Sequence, residues 1–222
     1  MRISTLLAFV AVFSGSVAVA VPAVAADPSC RFLPIADSAA SLQQAKTVAV
    51  LYSENTLNTQ EYLERYHAVA VNGAKNPELD SRISKAFVDS SDPQRAINWL
   101  MGSLQKEFAS VTVYDNLDAA VQAHPDVVVM LDTHNRLLTQ RNSQVEARFA
   151  ARFYDANLQY IGQAEGSRAE QMPSVWVHGK AASQISAQIN QQTVLQEHAL
   201  KQFDASLQAL VTAGSADHVA SN

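Results

Sequence analysis

Asp132 and His134 are the first candidates for chemistry, and they lie in the stretch VVVMLDTHNRL. Residues two apart in a strand point to the same face of the sheet. The carboxylate and the imidazole would therefore be neighbours, and together they could hold a cation or line a ligand pocket. The alternative is that both residues lie where a buried strand emerges into solvent, with no role in binding.

Arg148 and Arg152 are the second candidates, in the stretch VEARFAARFYDANLQYIG. Four residues apart on a strand, they share a face at a spacing of about 13 Å. That distance is too long for both guanidinium groups to hold one phosphate, but they could line a longer acidic partner. The alternative is a solvated sheet face whose arginines pair across strands with Gln159 or Glu165.

Recognised catalytic and cofactor motifs are absent from the sequence. It has no G-x-S-x-G nucleophile elbow, no G-x-G-x-x-G, no phosphate-binding loop, no H-E-x-x-H and no CxxC, and the whole chain has seven glycines. The sequence therefore predicts no catalytic residue, no metal ligand and no cofactor. A catalytic site assembled from distant residues stays open as an alternative.

The amino terminus indicates export. Residues 1–26 have a basic start at Arg2, an apolar run and a final A-x-A site before Asp27, which is typical of a cleaved signal peptide. An uncleaved membrane anchor is the alternative. No later stretch reaches the ~20 apolar residues of a membrane span, so no transmembrane segment is expected after cleavage. We expect a periplasmic or secreted protein.

The net charge and the cysteine content limit the classes of binding partner and the covalent links that this chain can form. The formal net charge is −5, which predicts no nucleic-acid partner. The one cysteine, Cys30, excludes an internal disulfide, and the preceding residues Asp27 and Pro28 do not fit a lipidation site. Cys30 is expected to be a free thiol near the amino terminus, with an intermolecular disulfide as the alternative.

The periodicity of apolar residues predicts one domain over residues 46–212, after a flexible leader at 27–45 and before a disordered tail at 213–222. KTVAVLYSE is apolar on both faces, as in a buried central strand. Residues 55–90 form an elaboration, in which TQEYLERYHAVAVNG suggests a helix passing into a strand. The fold class is α/β: a three-layer sandwich with a mixed sheet, a late antiparallel hairpin and a long C-terminal helix.

Two patterns define the hairpin and the last helix. The inward face of the first hairpin strand is predicted to be Val145, Ala147, Phe149, Ala151 and Phe153. From about residue 181 an apolar stripe predicts a helix whose other face is rich in glutamine, namely Gln184, Gln188, Gln191, Gln202 and Gln208. Such a face is usually solvated and occasionally a docking surface.

The hairpin also carries a resemblance. The export signal, the strand KTVAVLYSE and the turn YDANLQYIGQ are similar to a bacterial superfamily that includes the TolB amino-terminal domain, the periplasmic domain of the curli secretion channel and lipoproteins that activate penicillin-binding proteins. The resemblance covers residues 46–212 and departs from the pattern at 55–90. It implies a three-layer fold used for protein assembly in the periplasm, with no catalytic residues to transfer.

Three functional hypotheses follow. The first is a non-enzymatic periplasmic accessory or assembly protein of a Gram-negative envelope, which binds another envelope protein or a second copy of itself through Arg148 and Arg152. The second is a small-molecule or glycan-binding protein with its pocket at Asp132 and His134. The third is an exported hydrolase whose site the sequence does not reveal.

Overall fold

The computed structural model describes Leu42 and residues 45–139, 141–175 and 179–219, with side chains as far as residue 213. The predicted signal peptide and Cys30 lie outside these residues. The strands are β1 (Thr47–Tyr52), β2 (Ser110–Val113), β3 (Val127–Arg136), β4 (Gln144–Asp155) and β5 (Tyr160–Gln171). The helices are α1 (Glu54–Gly73), α2 (Ser81–Ser90), α3 (Arg95–Glu107), α4 (Leu117–Gln122) and α5 (Ala182–Val219).

The strands form one mixed sheet in the order β2-β1-β3-β4-β5. β1 is parallel to both β2 and β3, whereas β3, β4 and β5 are successively antiparallel. This topology confirms the predicted mixed sheet with a late antiparallel hairpin and a long C-terminal helix. α5 reaches Val219, which takes it into the segment 213–222 that was expected to be disordered.

Helices pack on both faces of the sheet. On one face, Val48 and Val50 of β1 join the main core with Leu100 of α3. On the other face, Ala49 and Leu51 pack with Ala120 of α4. Both faces of β1 are therefore buried, as the apolar run KTVAVLYSE predicts, and the α/β sandwich is confirmed. Within the described residues, no helix combines the length and the apolar character needed to cross a membrane.

The hairpin faces the core as predicted. Every member of its inward face is fully buried, namely Val145, Ala147, Phe149, Ala151 and Phe153. α5 crosses this face and also covers β5, the edge strand of the sheet. Two backbone N–H groups of β5 donate to α5 side chains, from Glu165 to Ser206 Oγ at 3.1 Å and from Ser167 to Gln202 Oε1 at 3.2 Å. These bonds occupy edge donors that another strand could otherwise pair with.

The glutamines of α5 are not all solvated, which corrects one prediction. Gln192 is fully buried, and its Oε1 accepts a hydrogen bond from the backbone N–H of Leu138 at 2.5 Å. Gln188 is also buried, and it donates to the carbonyl of Pro173. Buried amides of this kind require partners. Of the predicted glutamine face, Gln188 is therefore buried rather than solvated, and with Gln192, which was not assigned to that face, it satisfies the backbone of segments next to the hairpin.

Residues 54–73 and 81–90 form two helices joined by a turn, so the expected passage from helix into strand at HAVAVNG is wrong. α1 continues through Val69 and Val71, which are 73% and 37% exposed. Their alternation suggested a strand, but no neighbouring strand is available among the described residues to pair with them. What holds the helix in place is a polar face that contacts β3.

Side chains of α1 take the place of a strand beside the second half of β3. β1 pairs with β3 only as far as Leu131. Beyond that point Thr56 Oγ1 donates to the carbonyl of Leu131 at 2.9 Å and accepts from the N–H of Thr133 at 2.9 Å. Thr59 Oγ1 donates to the carbonyl of Thr133 at 2.9 Å. The carbonyl of Leu131 also accepts from the N–H of Ser53 at 2.9 Å, but the N–H and carbonyl of Thr133, which lie beyond the end of β1, are satisfied by these two threonines.

Replacing Thr56 by valine tests this arrangement. Thr56→Val keeps the side-chain volume but leaves the buried N–H of Thr133 without its partner. We expect a loss of about 2–3 kcal/mol in the free energy of unfolding, measured by urea denaturation. Leu57→Val, on the exposed side of the same turn, is the control and should cost less than about 0.5 kcal/mol. Equal effects of the two changes would contradict the role given to Thr56.

Candidate functional site

Asp132 connects β3 to the beginning of α1. Its Oδ1 accepts a hydrogen bond from Ser53 Oγ at 2.9 Å. Ser53 is the N-cap residue of α1, and its Oγ also accepts from the backbone N–H of Thr56 at 3.2 Å. The other carboxylate oxygen of Asp132 lies 4.0 Å from Arg152 Nη2. Asp132 therefore orients the helix cap, and one of its oxygens already has a partner.

His134 lies on the same face as Asp132, as the spacing predicts. Its Nε2 is 3.9 Å from Glu146 Oε2, and its side chain is 47% exposed. Both residues line a hollow of about 180 Å³ with Asn55, Glu146 and Arg148. The structure thus brings the predicted pair together, but the space between them is small.

Arg148 and Arg152 are paired across the hairpin. Arg148 Nε donates to Glu165 Oε1 at 3.0 Å, so the predicted cross-strand partner Glu165 is correct. Arg152 Nε donates to Gln163 Oε1 at 3.3 Å, so the alternative partner Gln159 is wrong. A register shift between Phe153 and Tyr154 accompanies the turn, and the N–H of Gln159 instead donates to Asp155 within that turn.

The two predicted sites belong to one surface. In the register of β3 and β4, His134 is opposite Arg148, and Met130 is opposite Arg152. The helix α5 packs against the other face of the hairpin. We call this surface the outer sheet face and define it by its polar and aromatic side chains: Asp132, His134, Glu146, Arg148, Arg152, Tyr154, Tyr160, Gln163 and Glu165.

Solvent reaches the charged side chains of the outer sheet face. The side chains of Arg148, Arg152 and Glu165 are 46%, 39% and 38% exposed. Ala150 lies between the two arginines on the same strand face and is only 1% exposed. The long aliphatic stems of neighbouring side chains can cover a small residue in this way while their charged ends stay in water. The face is thus charged and accessible.

Two tyrosines beside the hairpin turn complete the outer sheet face. The rings of Tyr154 and Tyr160 pack edge to face with their centroids 5.9 Å apart, and Tyr160 is 56% exposed. The two-residue period of the strand places Tyr154 on the same face as Arg152, but nothing in the sequence placed Tyr160 beside it. The register shift brings Tyr160 opposite Tyr154, and that shift has no clear sequence signal.

Metal binding finds no local support in the part of the chain that the structure describes. Among those residues, no group of three or more His, Cys, Asp or Glu side chains converges as metal ligands would. Glu146 is the acidic residue next to Asp132 and His134. Its carboxylate lies 3.9 Å from His134 Nε2, so it pairs with the imidazole and does not point to a position between the three side chains. The chemistry that the outer sheet face offers is charge and hydrogen bonding.

Comparison with known proteins gives structural likenesses only. No protein-family model and no curated protein matches the chain. Among solved structures, a dodecameric PelC variant from Paraburkholderia phytofirmans matches at 14% identity and a TM-score of 0.30, over 69% of this chain and 90% of that chain. Protein CT253 from Chlamydia trachomatis matches at 13% identity and a TM-score of 0.34, over 76% and 99% of the two chains. A minor lipoprotein from Acinetobacter baumannii matches at 13% and 0.25, over 78% and 96%. Likenesses this weak assign no family.

Proposed function

We propose that this chain is a non-enzymatic accessory protein of the bacterial envelope that binds another envelope protein through the outer sheet face. The observation that carries the proposal is the exposure of Arg148, Arg152 and Tyr160 on the part of this sheet face that α4 does not cover. Arginine and tyrosine are enriched among the residues that dominate binding energy at protein interfaces. The predicted signal peptide supports a periplasmic or secreted location.

The charges of this face favour a partner with acidic side chains. Arg148 is paired with Glu165, whereas Arg152 is hydrogen-bonded to Gln163 and lies 4.0 Å from the carboxylate of Asp132. Each guanidinium has five N–H donors, so both can hold these partners and still bind a carboxylate from outside. Solvent-exposed pairs of this type contribute little to folding, so the arginines are available for recognition at small cost to stability.

Charge reversal tests this proposal. A photo-crosslinking residue in place of Tyr160 is expected to yield one discrete adduct in living cells. Combining it with Arg148→Glu and Arg152→Glu should reduce that adduct at least tenfold, because close like charges at an interface cost several kcal/mol. The measurement is the intensity of the shifted band on a blot.

The matched control reverses two other exposed charges. Arg65 and Lys85 lie on α1 and α2, with side chains 71% and 75% exposed, each in a helical i,i+4 pair. Arg65→Glu with Lys85→Glu changes the net charge by the same amount and should leave the adduct unchanged. An adduct that survives reversal of Arg148 and Arg152, or no adduct at all, would overturn the docking proposal.

The hollow at Asp132 and His134 gives less support to the second hypothesis. Its volume of about 180 Å³ is below the range of about 300–1,000 Å³ that is usual for small-molecule sites. Asp132 is already bound by Ser53, which also weakens a role for this pair in hydrolysis. Protein docking is therefore the function that we propose for the outer sheet face.

A further inference from the structure

An apolar pocket lies between the two helices α1 and α2. Its volume is about 300 Å³, at the lower end of the usual range for small-molecule sites. We call it the helix-pair pocket. Its lining residues are Tyr66, Val69, Ala70 and Gly73 on α1, Leu79 just before α2, Ser84 and Phe87 on α2, and Thr139 after β3.

The pocket is elongated along α1. The four lining residues of that helix follow one another at intervals of three or four positions, from Tyr66 to Gly73, so they form a single stripe on one helix face. At 1.5 Å per residue this stripe is about 10 Å long. A pocket with such a wall suits one extended chain better than a compact ring system.

The hydroxyl groups in the lining already have partners within the fold. Tyr66 OH donates to the carbonyl of Leu138 at 2.8 Å. Ser84 Oγ donates to a carbonyl at the start of α2 at 3.1 Å, and Thr139 Oγ1 accepts from the backbone N–H of Asn142 at 3.0 Å. Burial raises the pKa of Tyr66, so its phenol stays neutral. The buried part of a ligand would find few hydrogen-bond partners here, so it must be apolar.

The apolar walls of the pocket are open to solvent. Val69 is 73% exposed, the largest value among the exposed large hydrophobic side chains of the described residues. Leu79 and Phe87 are half-buried. At Gly73 an added Cβ atom would meet no other atom within 4 Å. Exposed apolar surface around a concave site is typical of a place where a ligand or partner binds, and an alkyl chain would cover it.

Two cationic side chains flank the pocket. Lys75 belongs to the turn that joins α1 to α2, between the lining residues Gly73 and Leu79. Arg141 follows the lining residue Thr139 by two positions. Both cations are exposed, and neither forms an ion pair with another described residue. Each can therefore pair with an anionic group of a ligand that occupies the pocket.

The acidic side chains of the same turn do not cancel this charge. Asp80 is bound by Arg82, whose Nη2 lies 2.8 Å from Asp80 Oδ2. Glu78 is the remaining acidic residue of the turn, and it is opposed by both Lys75 and Arg141. The balance at the rim is thus positive, although the whole chain has a net charge of −5. This complementarity favours an anionic head group.

We propose that the helix-pair pocket binds one fatty acid of medium chain length. Its alkyl chain would lie against Tyr66, Val69 and Phe87, and its carboxylate would remain in water beside Lys75 and Arg141. The pocket shares no residue with the outer sheet face, so this binding is a function additional to docking and does not depend on it.

An NMR titration of the native protein with sodium decanoate and sodium octanoate tests the proposal. Decanoate is expected to bind roughly tenfold more tightly, because each of its two additional methylenes contributes up to about fourfold in affinity when buried. The resonances that shift should be those of the pocket lining, such as Val69 and Phe87. Equal affinity for the two acids, or no saturable binding of decanoate, would overturn the proposal.

A substitution that fills the pocket gives the sharpest variant. Gly73→Leu places an apolar side chain in the empty space at that position and should weaken decanoate binding at least tenfold. Leucine favours a helix more than glycine does, so the melting temperature should not fall. Gly102→Leu is the matched control, because Gly102 in α3 also has no atom within 4 Å of an added Cβ. It should bind decanoate as the native protein does, whereas native affinity in Gly73→Leu would refute the site.

Charge substitutions at the rim test the head group. Lys75→Gln combined with Arg141→Gln should weaken decanoate binding about two- to fivefold, the size expected for exposed ion pairs. Glu78→Gln removes the opposing charge and should not weaken binding. If Glu78→Gln weakened binding while the double variant did not, the assignment of an anionic ligand would be wrong.

Two comparisons distinguish this site from the docking function. Arg148→Glu with Arg152→Glu is expected to bind decanoate as the native protein does, even if it loses its protein adduct. Gly73→Leu is expected to keep that adduct. Loss of decanoate binding in the arginine variant would place the fatty acid on the outer sheet face and overturn the assignment to the helix-pair pocket.

Sedimentation with phosphatidylglycerol vesicles distinguishes a free fatty acid from a membrane surface. The native protein and Gly73→Leu are expected to sediment with the vesicles to the same extent. If the native protein bound the vesicles, Gly73→Leu did not, and decanoate showed no saturable binding, the pocket would be a membrane contact and the fatty-acid proposal would be refuted.

Discussion

Replacing Gly166 by alanine is expected to destabilise the fold by about 3–5 kcal/mol, a large part of the stability of a typical domain. A Cβ atom at Gly166 would lie 2.0 Å from the carbonyl oxygen of Ala199 and 2.4 Å from the backbone N of Phe203. Both atoms belong to the backbone of α5, so no side-chain rotation can relieve the overlap. The helix would have to move away from β5.

That displacement explains the expected size of the effect. Moving α5 would separate Ser206 and Gln202 from the edge of β5, where they accept backbone hydrogen bonds. It would also open the core around Phe203, which is fully buried. Loss of packing and loss of buried hydrogen bonds would therefore occur together. Urea denaturation followed by circular dichroism measures the change.

Two other glycines serve as controls. At Gly162 a Cβ would meet Leu210 Cδ1 at 2.6 Å, but that atom is the end of a flexible side chain, so Gly162→Ala should cost about 1 kcal/mol. At Gly102, within α3, nothing lies within 4 Å, and Gly102→Ala should stabilise by about 0.5–1 kcal/mol. If the three variants had similar stabilities, the close approach of α5 to β5 would be refuted.

The regular part of this fold was predictable because its signals are local. The run KTVAVLYSE, the alternation from Val145 to Phe153 and the helical stripe after residue 181 each record which faces are buried. The faces of both strands and the helix agree with those patterns. Hydrophobic periodicity reports burial directly, so these elements needed no knowledge of their neighbours.

The polar contacts were not predictable for the opposite reason. Thr56 and Gln192 look like solvent-facing residues in the sequence, yet both are fully buried and bond to the backbone of other segments. Their role depends on where β1 ends and on which loop α5 meets.

The candidate sites were likewise predictable only in the features that depend on one strand. The shared face of Asp132 and His134, and that of Arg148 and Arg152, followed from the two-residue period of a strand. Their union into one outer sheet face depends on the register between β3 and β4. That register is a property of two segments together, and neither segment specifies it alone.

Phe153→Ala is expected to cost about 3–5 kcal/mol, whereas Tyr154→Ala, one residue later, should cost about 1 kcal/mol. Phe153 is fully buried in the main core, where its ring lies 6.2 Å from that of Phe108. Its removal leaves a cavity between the sheet and α3. Tyr154 is half-buried on the outer sheet face beside Tyr160. Urea denaturation gives both values.

Substitutions at Phe153 and Tyr154 also separate an effect on stability from an effect on docking, because adjacent strand residues point to opposite faces of the sheet. Tyr154→Ala should leave the protein folded and reduce the crosslinked adduct, since it removes the ring against which the side chain at position 160 packs. Phe153→Leu keeps most of the apolar volume, so it should cost about 1 kcal/mol and leave the adduct of the folded protein intact. The opposite pattern, with binding lost in Phe153→Leu and kept in Tyr154→Ala, would mean that the partner does not contact the outer sheet face.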